Sequence, residues 1–303
     1  MTMEFYSNGK LLLSGEYAIL DGACGWAIPT KYGQYLRVEK RNTSHLTWKS
    51  LDNEGKLWFE GTYDLKTFEE ISSADGNISK MLRKILLAIR NLNPDFLMSS
   101  EGLEVETELT FPQDWGLGSS STLVNNVAQW ANIDAYGLLE GTFGGSGYDI
   151  ACAQHNKPII YHINKGLQTA LELKRGVPFS GSLYFVFLNK KQNSRDGIAI
   201  YQKRKIDKVL LVEQISIISK RMSKSQSIED FERLMTHHEK LISEALGIPP
   251  VQQELFSDYF GSVKSLGAWG GDFVLATGNE RTPSYFKEKG YETIIPFSEM
   301  VLS

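Results

Sequence analysis

The sequence has few cysteines and no excess of basic residues. It contains 2 cysteines among 303 residues, too few for a disulfide framework, and no histidine pair or Cys-x-x-Cys has the spacing of a zinc site. The formal net charge is −4 and the Lys and Arg residues are dispersed, so the chain offers no basic patch for nucleic acid. We therefore expect neither a structural metal nor a nucleic-acid partner.

Long apolar runs are also missing. The longest, at 85–89 and 183–188, are far shorter than the roughly 20 residues that cross a bilayer, and the N-terminus lacks the apolar core of a signal peptide. These features predict a cytoplasmic protein without a membrane partner. With 42% hydrophobic and 22% charged residues, the composition is typical of a globular protein, and the length allows two domains.

Strand and helix patterns interleave without a regular β-α-β repeat. Apolar residues at helical spacing predict a helix from about Asn77 that stops at Pro94. Further helices are predicted at 123–131, 206–222 and 228–246, and strands around Glu4 and at 27–38, 46–59, 103–111, 158–163, 183–188 and 273–277. This order predicts an α+β protein with two domains, 1–170 and 171–303, although the boundary is only defined to within 165–180.

One glycine-rich segment lies where a strand pattern changes to a helix pattern: Pro112-Gln-Asp-Trp-Gly-Leu-Gly-Ser-Ser-Ser121. Gly116 and Gly118 permit backbone conformations and a close approach that a side chain would block, and Ser119–Ser121 are placed to cap the helix. The unpaired N–H groups and the positive dipole end of a helix start favour an anion. The segment therefore predicts a phosphate site, with an ordinary capped loop as the alternative.

Two better-known phosphate motifs are absent from the sequence. There is no Gly-x-x-x-x-Gly-Lys-Ser/Thr, and neither Gly116-x-Gly118 nor Gly145-x-Gly147 is followed by the third glycine of a dinucleotide fingerprint. By motif, the chain is neither a P-loop NTPase nor a Rossmann enzyme.

Three other segments carry candidate catalytic or binding residues. Lys10 and Glu16 flank an apolar run, where a lysine could offset the charge of a transferring phosphoryl group or simply be a solvated strand end. Asp149 follows the glycine cluster at 144–147, where a carboxylate could accept a hydroxyl proton or cap a helix. The segment 264–272 has three glycines and an aspartate, which suits either a loop lining the same cleft or a plain hairpin turn.

Taken together and in this order, the four segments resemble the GHMP-superfamily kinases, the group that holds galactokinase, homoserine kinase, mevalonate kinase and phosphomevalonate kinase. Pro112-x-x-x-Gly-Leu-Gly-Ser-Ser120 matches the family's ATP-phosphate loop, and Gly9-Lys10 with Gly15-Glu-Tyr-Ala18 resembles its first motif. Gly145-Ser-Gly-Tyr-Asp-Ile-Ala151 resembles the Gly-Ser-Gly-Phe-Asp-Val-Ala of phosphomevalonate kinases and a group of bacterial kinases known by the string GYDIA. The resemblance covers nearly the whole chain and is specific at the level of the superfamily.

The resemblance implies a GHMP kinase fold and an ATP-dependent phosphotransferase. The implied fold has a left-handed β-α-β crossover in the N-terminal ATP-binding domain, a ferredoxin-like C-terminal domain, and ATP between the two. ATP and Mg²⁺ are the implied cofactors, with Asp149 and Lys10 beside the attacking hydroxyl as catalytic residues. The residues that would cradle the phosphates are Pro112, Gly116, Leu117, Gly118, Ser119, Ser120 and Ser121.

The implied magnesium ligands are a serine of the loop and a carboxylate. Ser120, or Ser119, would bind the ion from the loop. The family usually has a glutamate some eleven residues before the aspartate, but position 138 is Leu here, and Glu140 is the nearest carboxylate. Glu140 is therefore the second expected ligand.

The implied acceptor is a small acidic metabolite, with mevalonate or phosphomevalonate favoured. The basic segment 187–195 lies where related kinases have a substrate loop, although a solvated turn has the same composition. In the third motif, Leu266 and Trp269 stand where the family has a hydroxyl residue and a glycine. Candidate acceptor-binding residues are Glu16, Lys191, Ser194, Arg195, Gly267, Gly270, Gly271 and Asp272.

Two other functions stay open at this point. One is an ATP-dependent decarboxylase of the same fold, which would release CO₂ from diphosphomevalonate. The other is a catalytically silent relative that senses a nucleotide or a metabolite, which Leu266, Trp269 and the missing glutamate keep open and which Lys10 and Asp149 argue against. The sequence also leaves the oligomeric state open, a homodimer included.

Overall fold

The computed structural model describes residues 2–98, 101–192 and 194–302, except for the side chains of residues 194 and 195. The strands are β1 (Thr2–Ser14), β2 (Gly25–Arg41), β3 (His45–Leu51), β4 (Leu57–Asp64), β5 (Glu70–Ser73), β6 (Gly102–Leu109), β7 (Ile159–Asn164), β8 (Leu167–Glu172), β9 (Leu183–Phe187), β10 (Val263–Ser265), β11 (Phe273–Thr277) and β12 (Ile294–Pro296). The α-helices are α1 (Gly76–Leu92), α2 (Ser119–Ala131), α3 (Ala135–Thr142), α4 (Tyr148–Gln154), α5 (Ser194–Lys203), α6 (Lys208–Met222), α7 (Ile228–Leu246), α8 (Val251–Leu255), α9 (Thr282–Glu288) and α10 (Phe297–Met300). Across these described residues, no helix is both long and apolar enough to cross a membrane.

The α+β class predicted from the sequence is confirmed. The two long helices predicted in the second half are α6 and α7, and the strand predicted before the glycine-rich segment is β6. The extended segment predicted at 46–59 is a hairpin of β3 and β4, in whose turn the Asp52 carboxylate accepts from the amides of Glu54 and Lys56. The short elements β5, β8, α3 and α5 were not predicted, because β5 and β8 are mostly exposed and the short helices α3 and α5 contain glycine.

The described residues group into two compact units. The first comprises Met1–Gly9, Tyr32–Gln113 and Leu117–Gln154. Its strands follow the order β5-β4-β3-β6-β2, and all neighbours are antiparallel except β3 and β6, which run parallel. The chain passes from β3 to β6 through β4, β5 and α1. The handedness of this connection, expected to be left-handed, stays a prediction.

Helix α1 illustrates how the sequence defines an element of the first unit. The Asp75 carboxylate accepts hydrogen bonds from the first-turn amides of Asn77 and Ile78, which stabilises the helix start. Its apolar residues recur at helical spacing, so one face is buried in the core formed with β2, β3, β6 and α2. The buried side chains of this face are Leu82, Ile85, Leu86 and Ile89.

The second unit comprises Lys10–Lys31, Asp114–Gly116 and His155–Ser303. Within it, β7 pairs with Gly25–Ala27 of β2 and with β8. A separate antiparallel sheet has the order β10-β11-β9-β12. Helices α5–α8 lie between β9 and β10 in the chain, and α9 lies between β11 and β12, which is the β-α-β-β-α-β order of ferredoxin-like folds. The expected boundary near residue 170 stays a prediction.

Candidate functional site

The start of α2 differs from the starts of α1, α3, α6 and α7. Its N-cap is Gly118, with φ 93° and ψ 41°, and among the described residues no side chain caps this helix. By contrast, a capping side chain accepts first-turn amide hydrogens in α1, α3, α6 and α7, namely Asp75, Asp134, Asp207 and Ser227. The first-turn N–H groups of α2 are thus left for another acceptor, as at helix ends that bind anions.

The prediction that Ser119–Ser121 cap α2 is wrong. All three serines lie inside the first turn of the helix, and the residue at the cap position is Gly118. Ser121 is buried, and its hydroxyl donates to the Gly118 carbonyl oxygen at 2.8 Å. Ser120, the expected magnesium ligand, is exposed.

Buried polar side chains hold the first half of α2 in place. The Ser7 hydroxyl donates to Asn126 Oδ1 at 2.7 Å and accepts from Asn125 Nδ2 at 2.8 Å. One turn earlier, the Thr122 hydroxyl donates to Gln34 Oε1 at 2.9 Å. Because each of these buried groups has a partner, the network fixes the position of the helix without the cost of unpaired polar atoms.

Asp149 lies in the first turn of α4, as its glycine-rich approach suggested. Gly144, Gly145 and Gly147 have φ of 67°, 112° and 82°, values that other residues rarely adopt. Helix α4 packs against α2, and Gln154 joins the two through a hydrogen bond from its Nε2 to Asn125 Oδ1 at 2.9 Å. The Asp149 side chain is partly buried, and its Oδ1 accepts from the amide of Ile150.

The charge of Asp149 is one of the influences on the pKa of a tyrosine of α3, Tyr136. Burial raises the pKa of Tyr136 to about 12, and the nearby Cys152, Asp149 and Asp134 raise it further. The phenol of Tyr136 is therefore protonated at neutral pH. Sequence reasoning did not identify Tyr136.

Lys10 belongs to the second unit, where it contacts the start of the glycine-rich segment. Its Nζ donates to the Gly116 carbonyl oxygen at 2.8 Å. Gly116 has φ 67°, and a Cβ atom at this position would lie 2.6 Å from the carboxylate carbon of Asp272. Glycine is thus required at 116 both by the backbone conformation and by the close approach of Asp272.

Asp272 ends the third motif and connects it to the segment expected to bind the acceptor. Its Oδ1 accepts from the amide of Gln192 at 3.0 Å, and its own amide donates to the Lys190 carbonyl oxygen at 2.7 Å. Burial raises the pKa of Asp272, while the Gln192 hydrogen bond and the charges of Lys10 and Lys191 lower it. The charges of Lys10 and Lys191, both candidate site residues from the sequence, therefore act on the Asp272 carboxylate.

Glu16 is buried rather than presented to solvent. Its side chain is 1% exposed, and its Oε1 accepts from Lys264 Nζ at 2.5 Å. Glu16 Oε2 lies 3.2 Å from Nε2 of His238, which accepts the amide hydrogen of Gly15 at 3.0 Å. Burial raises the pKa of Glu16, against the opposing effect of Lys264. The expected role of Glu16 in acceptor binding stays a prediction.

His238 and Glu239 of α7 complete this group, and sequence reasoning missed both. Burial lowers the pKa of His238 well below 6.5 and raises the pKa of Glu239 to about 8, so both are neutral at pH 7. Glu239 Oε1 accepts from the amide of Ser265 at 3.1 Å and lies 3.9 Å from Lys264 Nζ. A signal was present in the sequence, because the two polar residues interrupt the apolar stripe of α7, whose other buried members are Phe231, Leu234, Met235, Ile242, Ala245 and Leu246.

The unusual residues of the third motif are also buried. Leu266 is 1% exposed and Trp269 is 4% exposed. The Leu266 amide donates to the Phe273 carbonyl oxygen, and the Trp269 amide donates to the Tyr17 hydroxyl at 3.3 Å. The Trp269 indole belongs to the same core cluster as Tyr17 and Ala18 of the first motif.

The remaining predicted residues are distributed as follows. Pro112 is half-buried and Leu117 is buried, whereas Glu140 and Lys191 are exposed. Gly267 and Gly270 have φ of 61° and 95°, and a Cβ at Gly271 would lie 2.7 Å from the Lys190 carbonyl oxygen. Ser194 and Arg195 begin α5, but their side chains lie outside the described part of the structure.

No metal site can be built from protein side chains alone in the part of the chain that the structure describes. No group of three or more His, Cys, Asp or Glu residues there could hold an ion. Position 138, where the family's glutamate is expected, is a fully buried leucine of α3. A Mg²⁺ ion of the kind that accompanies nucleotides needs only one or two carboxylates besides phosphate oxygens. Ser120 and Glu140 as its protein ligands stay a prediction.

Comparison with known proteins identifies the fold. No protein-family model and no curated protein sequence matches the chain. Mevalonate kinase of Methanococcus jannaschii is 18% identical over 97% of this chain and 96% of its own, with a TM-score of 0.70. Phosphomevalonate kinase of Streptococcus pneumoniae, solved with phosphomevalonate and AMPPNP, is 15% identical over 95% of both chains, with a TM-score of 0.68. Galactokinase of Lactococcus lactis, solved with galactose, is 13% identical over 95% of this chain and 88% of its own, with a TM-score of 0.68. The chain has the fold of the GHMP kinases, as the sequence motifs predicted.

Proposed function

We propose that the protein is an ATP-dependent kinase that transfers the γ-phosphoryl group to a small acidic acceptor of the mevalonate type. The observation that carries the proposal is the uncapped start of α2 behind Gly118, in a fold shared with kinases of which one was solved with AMPPNP. First-turn amides that lack a capping side chain suit the phosphates of a nucleotide. The serine-rich first turn adds hydroxyls beside the same amides.

In the proposed mechanism, Asp149 receives or orients the proton of the acceptor hydroxyl. A carboxylate in the first turn of a helix is stabilised as an anion by the helix dipole, so it is ready to accept a hydrogen bond from that hydroxyl. Lys10 is proposed to offset the charge that develops on the transferred group. Little covalent chemistry is required of the protein, because positioning and charge stabilisation supply most of the rate enhancement in phosphoryl transfer.

Magnesium is proposed as the second cofactor. The ion supplies charge neutralisation on the phosphate oxygens when it is bound. Ser120, exposed in the first turn of α2, and Glu140, exposed on α3, are the proposed protein ligands. Asp134, which caps α3, is already engaged, because its carboxylate accepts from the amides of Tyr136 and Gly137. Glu140 is exposed and is therefore the carboxylate of α3 that we propose.

The proposal of an acidic acceptor is supported by the positive charge of the segment 190–192, whose backbone forms hydrogen bonds with Asp272. Lys190 and Lys191 lie beside the third motif, and Lys191 is exposed. An acceptor that carries a carboxylate or a phosphate would be attracted to this positive charge. We assign mevalonate or phosphomevalonate because the kinases of this fold named above include one for each.

The test is a coupled measurement of ADP release with mevalonate, phosphomevalonate, homoserine and galactose as separate acceptors. We expect turnover with mevalonate or phosphomevalonate and none with galactose. Turnover with galactose or homoserine alone would refute the acceptor class but keep the kinase. Release of CO₂ from diphosphomevalonate would identify a decarboxylase instead, and nucleotide binding without any turnover would favour a sensor.

A further inference from the structure

The group of Glu16, Lys264, His238 and Glu239 connects two segments that the family resemblance predicts to line the acceptor site, the first motif with Glu16 and the third motif with Gly267–Asp272. Glu16 follows the turn at Gly15, and Lys264 begins the third motif, 248 residues away in the chain. The two helix residues bind one segment each: His238 accepts from the amide of Gly15, and Glu239 accepts from the amide of Ser265. The four side chains therefore hold the backbones of both segments at once.

Lys264 has the central position in this group. Its Nζ donates to Glu16 Oε1 at 2.5 Å and to the carbonyl oxygen of its own neighbour Ser265 at 2.7 Å, so one ammonium group joins the first-motif side chain to the third-motif backbone. The side chain is fully buried. Strand β10, which carries it, is itself only three residues long and is paired with β11.

The charges in the group balance. Lys264 and Glu16 form an ion pair, while burial keeps Glu239 protonated and His238 unprotonated near neutral pH. A buried ion pair adds little to stability compared with an apolar pair of similar volume, because both ions lose their hydration. Stability alone therefore does not account for four buried polar side chains at this place. A fixed geometry does, since hydrogen bonds have directions that apolar contacts lack.

A second contact links the same two segments. The amide of Trp269, farther along the third motif, donates to the hydroxyl of Tyr17 at 3.3 Å. Tyr17 has φ 61°, a conformation that a tyrosine adopts only when its surroundings hold it there. The segment Gly15–Tyr17 and the segment Lys264–Trp269 are thus joined at both of their ends.

We infer that Lys264 is a positioning residue, which, through Glu16, His238 and Glu239, sets the third-motif segment against the first-motif turn in the geometry that the acceptor requires. This inference rests on the proposed function. Lys264 itself touches no reacting atom in this scheme. It acts through Gly267–Asp272, whose backbone follows directly from the strand that it anchors.

The informative variant is the double substitution Glu16→Gln with Lys264→Met. Lys264→Met alone leaves a buried carboxylate without its partner and is expected to prevent folding, whereas removing both charges together is often neutral for stability. The matched control is Lys289→Met, which removes the lysine of an exposed ion pair with Asp258 in the same unit. Near-UV circular dichroism verifies that each variant is folded.

Two readouts separate positioning from a general structural role. In the double variant, we expect the KM for the acceptor to rise at least 10-fold, while the KM for ATP and the kcat at saturating acceptor change less than 3-fold. We also expect hydrogen–deuterium exchange to rise at least 10-fold in peptides covering 14–18 and 264–270 but not in β9. A uniform rise in exchange, or an unchanged acceptor KM, would overturn the inference. The control should match the unsubstituted protein in both readouts.

The outcome stays decisive if the kinase proposal fails or the double variant does not fold. Absence of turnover in the unsubstituted protein refutes the proposed function, and local exchange then decides the inference alone. In the unsubstituted protein, the amides of Gly15 and Ser265 should exchange only through global unfolding, because each donates to a buried acceptor of the group. Exchange of either amide through local opening, at least 10-fold faster than that of β9, would overturn the inference without any variant.

Discussion

Replacing Glu239 with glutamine should remove one pH dependence from the stability of the protein. Burial raises the pKa of Glu239 from 4.5 to about 8, against the opposing charge of Lys264. The unfolded chain ionises this carboxyl near pH 4.5, whereas the folded protein keeps the proton until about pH 8. The contribution of Glu239 to the free energy of unfolding is therefore fully present below pH 4.5, and it is lost as the pH rises to about 8.

The magnitude follows from the width of this interval. Each pH unit inside it changes the free energy of unfolding by about 1.4 kcal/mol for one proton. Between about pH 5 and about pH 7.5, the loss is about 3 kcal/mol. The Glu239→Gln variant has no proton to lose, and its amide oxygen can still accept from the Ser265 amide. Its stability should therefore fall about 3 kcal/mol less than that of the unsubstituted protein over the same range.

Urea unfolding at several pH values, followed by tryptophan fluorescence, measures this difference. Titrating groups that do not interact with Glu239 contribute equally in both proteins, so their contributions cancel in the comparison. Glu244→Gln is the matched control, because Glu244 lies on the same helix but is exposed. We expect the control to keep the full pH dependence. If the curves of the Glu239→Gln variant and the unsubstituted protein run parallel, Glu239 does not hold a proton in the folded state and the reasoning is wrong.

Three further predictions concern the candidate site and its support. Asp149→Asn should lower turnover by roughly 10²-fold or more with nucleotide binding retained, because a general base is lost; near-normal turnover in steady-state assays would refute this role. Gly116→Ala and Gly144→Ala both place alanine at φ 67°, which costs about 1–2 kcal/mol, but only at 116 does the new Cβ meet another group, the Asp272 carboxylate, at 2.6 Å. Gly116→Ala should therefore lose about 1–3 kcal/mol more in urea unfolding, and equal losses would contradict the close contact. Asp75→Ala should cost about 1 kcal/mol through loss of the α1 cap, and an unchanged unfolding midpoint would exclude it.

The long elements were predictable because their residues repeat with the period of the structure. In α7, buried residues recur every three or four positions after the capping Ser227, and in β6 buried and partly exposed residues alternate. Strand β8 has no such signal, because nearly all of Leu167–Glu172 is exposed. Helix α5 contains Gly197, which packs against the ring of Tyr17 and weakens the helical pattern. An element whose residues are not buried at regular intervals cannot be predicted from the spacing of its apolar residues.

The candidate site was predictable only where it is local in sequence. The glycine turn before α2 and the carboxylate at the start of α4 both follow from a few adjacent residues. The partners of Glu16 could not be read in this way, because Lys264 and His238 come from distant positions and only folding brings them together. The serine caps were predicted wrongly for a related reason: the residue type suits a cap, but Gly118 takes the cap conformation.

The buried hydrogen-bond network of Ser7, Gln34, Asn125 and Asn126 restricts which substitutions the protein can accept at these positions. Ser7 serves two asparagines at once, and Asn126 in turn donates to the Gln34 carbonyl oxygen, so each side chain answers the hydrogen-bonding needs of the next. Alanine at any one of these positions leaves a buried polar group of a neighbour without its hydrogen-bond partner. Replacing all of them together with apolar residues leaves no such group. Viable sequences at these positions should thus be separated by several simultaneous steps, and single-site libraries would find this part of the helix almost closed to change.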